Sequence, residues 1–192
     1  MSFSLPRFEG EHVCESGERW RLVVGQTEYA VSDGAGANGR LYSYKSNRLM
    51  SQFVGSHYYL AKLGGKMRRV HVLIADAFLS GAGFIDHKNG VKTDNRLVNL
   101  RRATSSENNV NVKLRTNTTG YSGVSLSRGR FQALIRIAGK NTYLGLFSTA
   151  HEAGLAYARK AEELHGEFLA PHVRELLDRE ELAWMHAEDV RG

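Results

Sequence analysis

The stretch "FIDHKNGVKTDNRLVNLRRATSSENN", residues 84–109, places an acid and a histidine side by side after a short apolar lead-in. Asparagine is unusually dense in it, at Asn89, Asn95, Asn99, Asn108 and Asn109. This residue type is unfavourable inside both helices and strands. The pattern therefore indicates a geometry that side-chain amides hold in place, rather than a hydrophobic core.

Local signals within the stretch predict a strand, a loop, a second strand and a helix. Residues 84–87 form the first strand, a polar loop follows, and residues 100–104 form the second strand. Thr104 and Glu107 have the spacing of a capping box, so a helix is expected to begin at Ser105. A unit this compact is expected to bring four polar side chains together: Asp86, His87, Asn99 and Asn108.

These side chains have the chemistry of a metal-dependent phosphodiester hydrolase. Mg²⁺ prefers oxygen ligands and takes few of them from protein, and Asp86 and Asn108 offer a carboxylate and an amide oxygen. His87 is the type of residue that deprotonates water near neutral pH, and Asn99 is a candidate for orienting its ring. Asn109 is an alternative for the second metal ligand. Asn95 is an alternative for the orienting residue.

The stretch "DHKNGVKTDNRLVNLRRATSSENN" resembles the HNH (ββα-metal) endonuclease motif, in the version found in phage-encoded homing endonucleases. "RRVHVLIADAFL" before it is similar to the segment that precedes the motif in those proteins. The resemblance implies Asp86 and Asn108 as metal ligands, His87 as the general base and Asn99 as its orienting residue. It also implies double-stranded DNA as substrate, and Mg²⁺, or Mn²⁺ in its place, as cofactor.

Three further residues near the motif bear on its structure. Val72 stands where the family has an arginine, so the contact of that arginine is not carried over. His71 is expected to pack near the site without touching substrate. Asp94 is expected to hold the loop through an Asx-type hydrogen bond.

Residues 121–170 have the pattern of a separate small α+β unit. "RFQALIRI" alternates apolar and polar residues, which predicts a strand with one buried face, and "TYLGLF" predicts a second strand. Thr149 and Glu152 form another capping box, and an amphipathic helix is expected to run from there to Gly166.

The segment "YSGVSLSRGRFQALIRIAGKNTYLGLFSTAHEAGLAYARKAEELHG" resembles the Apetala/ethylene-response-factor DNA-binding domain. That fold lays a three-stranded sheet in the major groove of DNA and backs it with a helix. Leu134 stands where plant members have an acidic residue, so base preference is not transferred. The predicted DNA contacts in this unit are Arg128, Arg130, Gln132, Arg136, Lys140 and Tyr143.

Positive charge is concentrated in the middle of the chain. Residues 66–145 carry 14 Lys and Arg against 4 Asp and Glu, whereas residues 146–192 carry 5 against 10. A basic segment of this kind is typical of a surface that binds a polyanion. It predicts phosphate contacts at Arg101, Arg102, Lys113 and Arg115.

The predicted fold class is α+β, with five segments along the chain. They are a strand-rich N-terminal module (1–70), an HNH nuclease core (71–112), a linker (113–120), the sheet-and-helix domain (121–170) and an acidic helical tail (171–192). The tail is expected either to pack on the body or to pair with another chain. Monomer and homodimer both remain open.

Composition bears on the cellular location of the protein. The single cysteine, Cys14, excludes an intrachain disulfide and a cysteine-cluster zinc site. No run approaches the ~18 apolar residues of a membrane span, and the N-terminus lacks the apolar region of a secretory signal. A cytoplasmic location is therefore expected.

The patterns together predict a sequence-directed, metal-dependent DNA endonuclease. The main alternative is a DNA-binding regulator with a non-catalytic HNH remnant, and an RNA-binding or recombination accessory protein is a weaker one. The complete Asp-His-Asn-Asn set favours the enzyme. The target sequence, and the choice between a nick and a double-strand cut, are not encoded in these patterns.

Overall fold

The computed structural model describes residues 3–35, 38–110 and 117–189. It divides into two compact units, Met1–Asn108 and Asn109–Gly192. The first unit thus contains the predicted strand-rich module and most of the predicted nuclease core together. Lys113 and Arg115, two of the predicted phosphate contacts, lie outside the described residues, as does part of the predicted linker.

The first unit is built from short antiparallel strands, as the sequence predicts. Its strands are β1 (Glu11–Val13), β2 (Arg19–Val23), β3 (Gln26–Ser32), β4 (Leu41–Ser43), β5 (Arg48–Leu49), β6 (Phe53–Val54), β7 (Tyr59–Leu63), β8 (Lys66–Arg69), β9 (Phe84–His87) and β10 (Leu100–Ala103). They form sheets of order β1-β2-β3-β4-β5, β6-β7-β8 and β9-β10. The helices of this unit are α1 (Val70–Phe78) and α2 (Ser105–Val110), and α2 continues past the unit boundary.

The β7–β8 hairpin shows how local sequence determines a turn. Leu63 pairs with Lys66, and the Gly64-Gly65 dipeptide between them has φ values of +54° and +82°. Both values lie in the left-handed region that glycine adopts without strain. The hairpin turn thus follows from the local sequence.

Helix α1 supplies the centre of the core in this unit. Val70, Leu73 and Ile74 are buried in one cluster with side chains from the first sheet, β7 and β10, including Leu41 and Leu100. Each such aliphatic side chain stabilises the fold by about 1.5–3 kcal/mol relative to exposure. Strand β10 therefore packs in the same core as the N-terminal strands.

The second unit is a sheet backed by helices. Its elements are β11 (Val124–Ser127), β12 (Arg130–Ile137), β13 (Lys140–Phe147), α3 (Ala150–His165) and α4 (Pro171–Asp189). The strands lie in the order β11-β12-β13, and all pairs are antiparallel. Helix α3 begins with the predicted capping box of Thr149 and Glu152 and ends at Gly166, so both predicted ends are confirmed.

The two faces of β12 have opposite character, as the alternation predicts. Ala133 and Ile135 are buried, and Ile135 lies in a cluster with Ala158 and Ala161 of α3. Arg130 and Arg136 are exposed on the other face. Val173 of α4 joins the same cluster. Of the two alternatives for the acidic tail, the structure shows packing on the body of its own unit.

No helix in the described ranges is both long enough and apolar enough to cross a membrane. Cys14 is a free thiol of intermediate exposure.

Candidate functional site

Strand β9 runs from solvent into a buried polar end. Phe84, at its start, is 57% exposed, whereas Asp86 and His87 are 4% and 5% exposed. In the β9–β10 ladder, Asp86 lies opposite Arg101 and His87 lies opposite Leu100. Burying a carboxylate and an imidazole is costly unless each is satisfied by a partner. The surroundings of these two side chains therefore define the site.

Asp86 is held by an arginine on the neighbouring strand. Arg101 Nε donates to Asp86 Oδ2 at 2.8 Å, and Arg101 Nη2 lies 2.7 Å from the same oxygen. Arg101 itself is 8% exposed. Predicted as a phosphate contact on the surface, Arg101 instead lies inside the site, because its guanidinium compensates the buried carboxylate. Arg102, the next predicted phosphate contact, pairs with Asp76 at 2.8 Å.

The ring of His87 is in contact with Asn95. His87 Nε2 lies 3.2 Å from Asn95 Oδ1, and Asn95 is fully buried. This contact holds the imidazole ring in one orientation. The hydrogen bond to the ring thus comes from Asn95, the alternative to Asn99.

Asn99 closes the loop between β9 and β10. Its Oδ1 accepts from the backbone N–H of Asn89 at 3.0 Å, and its Nδ2 donates to the backbone oxygen of Asp94 at 2.8 Å. Its own backbone oxygen accepts from Lys88 N–H at 2.9 Å, directly after His87. The asparagines of this stretch fix loop geometry, as their density indicates. Asn99 acts on His87 through the backbone.

Asp94 has the loop-holding role expected of it. Its Oδ1 accepts from the backbone N–H of Arg96 at 3.4 Å, two residues on, and its Oδ2 accepts from Asn89 Nδ2 at 2.8 Å. The Arg96 side chain, which donates to both oxygens, is the main reason that the pKa of Asp94 is lowered to about 2. The loop therefore keeps this negative charge at any working pH.

The N-terminal strands anchor the same loop from a distance in sequence. Asn38 Nδ2 donates to Thr93 O, and Asn38 Oδ1 accepts from Asn95 N–H. Leu97 N–H donates to Asp33 O at 2.8 Å. No local signal links these segments, so sequence reading alone did not find Asn38.

Asn108 lies in the first turn of α2, as predicted. Thr104 N–H donates to Glu107 Oε2 at 2.7 Å and Glu107 N–H donates to Thr104 Oγ1 at 3.2 Å, which confirms the capping box. Asn108 N–H donates to Thr104 O at 3.0 Å, and its side chain is half-buried. The side chain of Asn109, the alternative ligand, lies outside what the structure describes.

The donors at this site suit a hard divalent cation. The described residues contain no group of three or more His, Cys, Asp or Glu side chains placed to hold a metal. Asp86 nevertheless offers a buried carboxylate, and the positive charge of Arg101 compensates it. A carboxylate and an amide oxygen are the few protein ligands that Mg²⁺ accepts while it keeps water or phosphate oxygens. Asp86 and Asn108 therefore fit the implied metal chemically.

Two aromatic rings surround His87. The centroids of His71 and His87 lie 5.0 Å apart in an edge-on arrangement, and that of Tyr58 lies 4.7 Å from His71 and 6.2 Å from His87. Burial is the main cause that lowers the pKa of His87, and it lowers the pKa of His71 to about 3. His71 packs beside the site, as expected. Tyr58 was missed because nothing in its local sequence points to the site.

Four of the predicted DNA contacts of the second unit lie on one face of its sheet, and the other two lie beside its turns. Arg130 and Arg136 are exposed on the face of β12 away from α3, and Tyr143 on β13 is 58% exposed opposite Leu134. Gln132 on the same face is half-buried, whereas Arg128 and Lys140 lie exposed beside the two hairpin turns. This sheet face therefore presents cations and an aromatic ring to solvent.

Comparison with known proteins points to one family. Residues 68–110 match the family model described as HNH endonuclease, a span that contains Asp86, His87, Asn99 and Asn108. An uncharacterized HNH endonuclease of Acanthamoeba polyphaga mimivirus is 30% identical over 125 residues. The match covers 60% of this chain and 66% of the relative, just under two thirds of its length. No solved structure matches the chain.

Proposed function

We propose that this chain is a sequence-directed, metal-dependent DNA endonuclease of the HNH homing type, which hydrolyses phosphodiester bonds in double-stranded DNA. The observation that carries the proposal is the buried Asp86-His87 pair at the end of β9, within the segment that matches the HNH endonuclease family. The contacts of both side chains suit this chemistry. Asp86 pairs with Arg101, and His87 contacts Asn95.

His87 is the general base of the proposed reaction. Burial lowers its pKa, so the imidazole is neutral near pH 7 and its lone pair accepts a proton from water. The contact of His87 Nε2 with Asn95 Oδ1 at 3.2 Å orients the ring. A general base of this kind contributes about 10²–10⁴-fold to a reaction rate.

Asp86 and Asn108 would hold the cation, Mg²⁺ or Mn²⁺. When bound, the cation supplies charge that stabilises the phosphate and the leaving oxygen. The Arg101 guanidinium lies 2.7 Å from the Asp86 carboxylate, so this buried group already has a partner in the folded chain.

The exposed sheet face of the second unit is proposed to read DNA, in the manner of the Apetala/ethylene-response-factor domain that its sequence resembles. Arg130, Arg136 and Tyr143 support this proposal because they leave guanidinium groups and an aromatic ring accessible to bases and phosphates. A homing enzyme of phage type would act on DNA in the cytoplasm of its host cell.

Cleavage of a pooled plasmid library with random inserts tests the proposed function. The full chain is expected to cut the DNA with Mg²⁺ and not with EDTA, and sequencing of the new ends reports the site. His87→Ala should lower the rate about 10²–10⁴-fold while DNA affinity is nearly unchanged. The control is His57→Ala, since His57 is an exposed histidine of the same unit.

Two results would overturn the proposed function. Cleavage by the His87→Ala variant at the wild-type rate would remove His87 from the reaction. Tight, selective binding by the wild-type chain without any Mg²⁺-dependent or Mn²⁺-dependent cleavage would favour the DNA-binding regulator instead.

A further inference from the structure

Two cations converge on the ring of Tyr58, and neither belongs to the predicted DNA-binding set. Arg69 Cζ lies 5.1 Å from the ring centroid, and Lys92 Nζ lies 5.5 Å from it. Both side chains are exposed. A cation over an aromatic face is attracted by the electron density of the ring. Tyr58 thus holds the two positive charges, from β8 and from the loop after β9, at one place.

This cation pair, Arg69 and Lys92, lies one ring away from His87. The centroid of Tyr58 is 6.2 Å from that of His87, and His71 contacts both rings. The ring contacts therefore place the pair beside the candidate base.

Within the described residues, neither member of the cation pair has a carboxylate partner. Three other basic side chains of the same region are neutralised: Arg96 by Asp94, Arg101 by Asp86 and Arg102 by Asp76. Two exposed cations that remain uncompensated beside a buried base form a place where an anion is stabilised.

We propose that Arg69 and Lys92, positioned by Tyr58, bind the DNA backbone phosphate that is presented to His87. This inference rests on the proposed function and adds the substrate-binding residues of the same site. The planar guanidinium suits two phosphate oxygens at once, and the ammonium acts as a point charge. Held on one ring, the two groups fix where the phosphate lies relative to His87.

The first test measures binding without catalysis. A fluorescent random-sequence 20-bp duplex is titrated with the full chain in EDTA at a series of KCl concentrations. Arg69→Gln and Lys92→Gln should each flatten the dependence of log affinity on log salt by about 0.9, the value for one lost phosphate contact. The matched controls are Arg68→Gln, on the same strand with its side chain on the opposite face, and Lys88→Gln, in the same loop; both are exposed.

The second test measures single-turnover cleavage with Mg²⁺ at saturating DNA. The two cation-pair variants should be slower by roughly 10-fold or more, as for a lost group that stabilises transition-state charge, while Arg68→Gln and Lys88→Gln keep the wild-type rate. Tyr58→Phe, which retains the ring, should behave as wild type. Tyr58→Leu, which removes the ring, should reproduce the cation-pair defect.

The outcomes separate this inference from the proposed function. Salt slopes that are the same in the cation-pair variants and their controls would overturn the inference, whether or not the chain cuts DNA. Flattened slopes with an unchanged saturating rate would also overturn it, because the pair would then bind a phosphate other than the reacting one. Failure of the wild-type chain to cut with Mg²⁺ would refute the proposed function, and the binding test would still decide the phosphate contact.

Discussion

Two asparagines of one loop have different contacts, and the difference assigns them different roles. Asn95 touches the His87 ring, whereas Asn99 joins the backbone at both ends of the loop. In sequence both are asparagines of the loop that follows His87, at Asn95 and Asn99. Which amide reaches the ring depends on the path of the loop, and Asn38, more than 50 residues away, holds that path.

Replacing each asparagine by alanine should therefore give distinct defects. Asn95→Ala should lower the single-turnover cleavage rate about 10–100-fold, the usual cost of losing a group that orients a functional side chain. Asn99→Ala should mainly lower the free energy of unfolding, by about 1–3 kcal/mol, because it removes the two hydrogen bonds that the buried Asn99 side chain makes to the loop backbone. Cleavage assays and urea titrations measure the two quantities. A reversed pattern would return the orienting role to Asn99.

His71 should make the stability of the first unit depend on pH. Burial lowers its pKa to about 3 in the folded chain, against about 6.5 when unfolded. Because only the unfolded state takes up the proton between these values, stability is complete above about pH 6.5 and falls as the pH drops towards 3. At pH 5 the loss from this residue is about 2 kcal/mol.

The matched comparison is His71→Gln against His57→Gln, which changes an exposed histidine. Urea unfolding would be followed through the fluorescence of Trp20, which is fully buried in this unit. Trp184→Phe as background leaves Trp20 as the only tryptophan. The loss between pH 7.5 and 5 should shrink in His71→Gln and persist in His57→Gln; equal losses would contradict the assignment.

At the scale of elements, local sequence patterns were sufficient to predict the features that depend on neighbouring residues. The alternation along β12 and the capping boxes of α2 and α3 each depend on residues a few positions apart, and all were predicted. The register shift between Ala133 and Leu134 in the β12–β13 pair was not predicted. A bulge depends on how two strands pair, which a single strand's pattern does not contain.

The sheet face allows a test of whether the second unit reads bases. Arg136→Ala should weaken binding to a duplex that carries the mapped cleavage site by about 1–3 kcal/mol and should change random-duplex binding much less. Arg159→Ala, at an exposed position on α3, is the control. Competition titrations with the two duplexes measure the difference. Equal losses on both duplexes would mean that Arg136 contacts only the backbone.

At the scale of the whole chain, the compact units differ from the segments drawn along the sequence. A change from strand patterns to a helix pattern suggested a boundary at residue 70, but the core that contains Leu41, Leu63, Ile74 and Leu100 runs across it. Composition changes mark where elements change type. They do not show which elements share a core, because that depends on contacts between distant residues.

Truncation should reveal how activity is divided between the units. A chain of residues 1–116 keeps the complete first unit and its core, so it should fold and cut plasmid DNA with Mg²⁺. Without the sheet face it should bind more weakly and cut at many positions. End mapping on the plasmid library measures the site preference. Full site preference in the truncated chain would show that the second unit does not read DNA.

The anchoring of the site loop by Asn38 also bears on how this gene can recombine with others or be engineered. The segment that matches the family, residues 68–110, depends on Tyr58 for its cation pair and on residues 33–38 for the course of its loop. A gene fusion that joined a new upstream partner at residue 68 would transfer the motif without Tyr58 and residues 33–38. A junction placed after residue 108 would transfer the motif together with these residues. Recombination between such genes should therefore preserve activity when it exchanges the downstream half and lose it when it exchanges the upstream half.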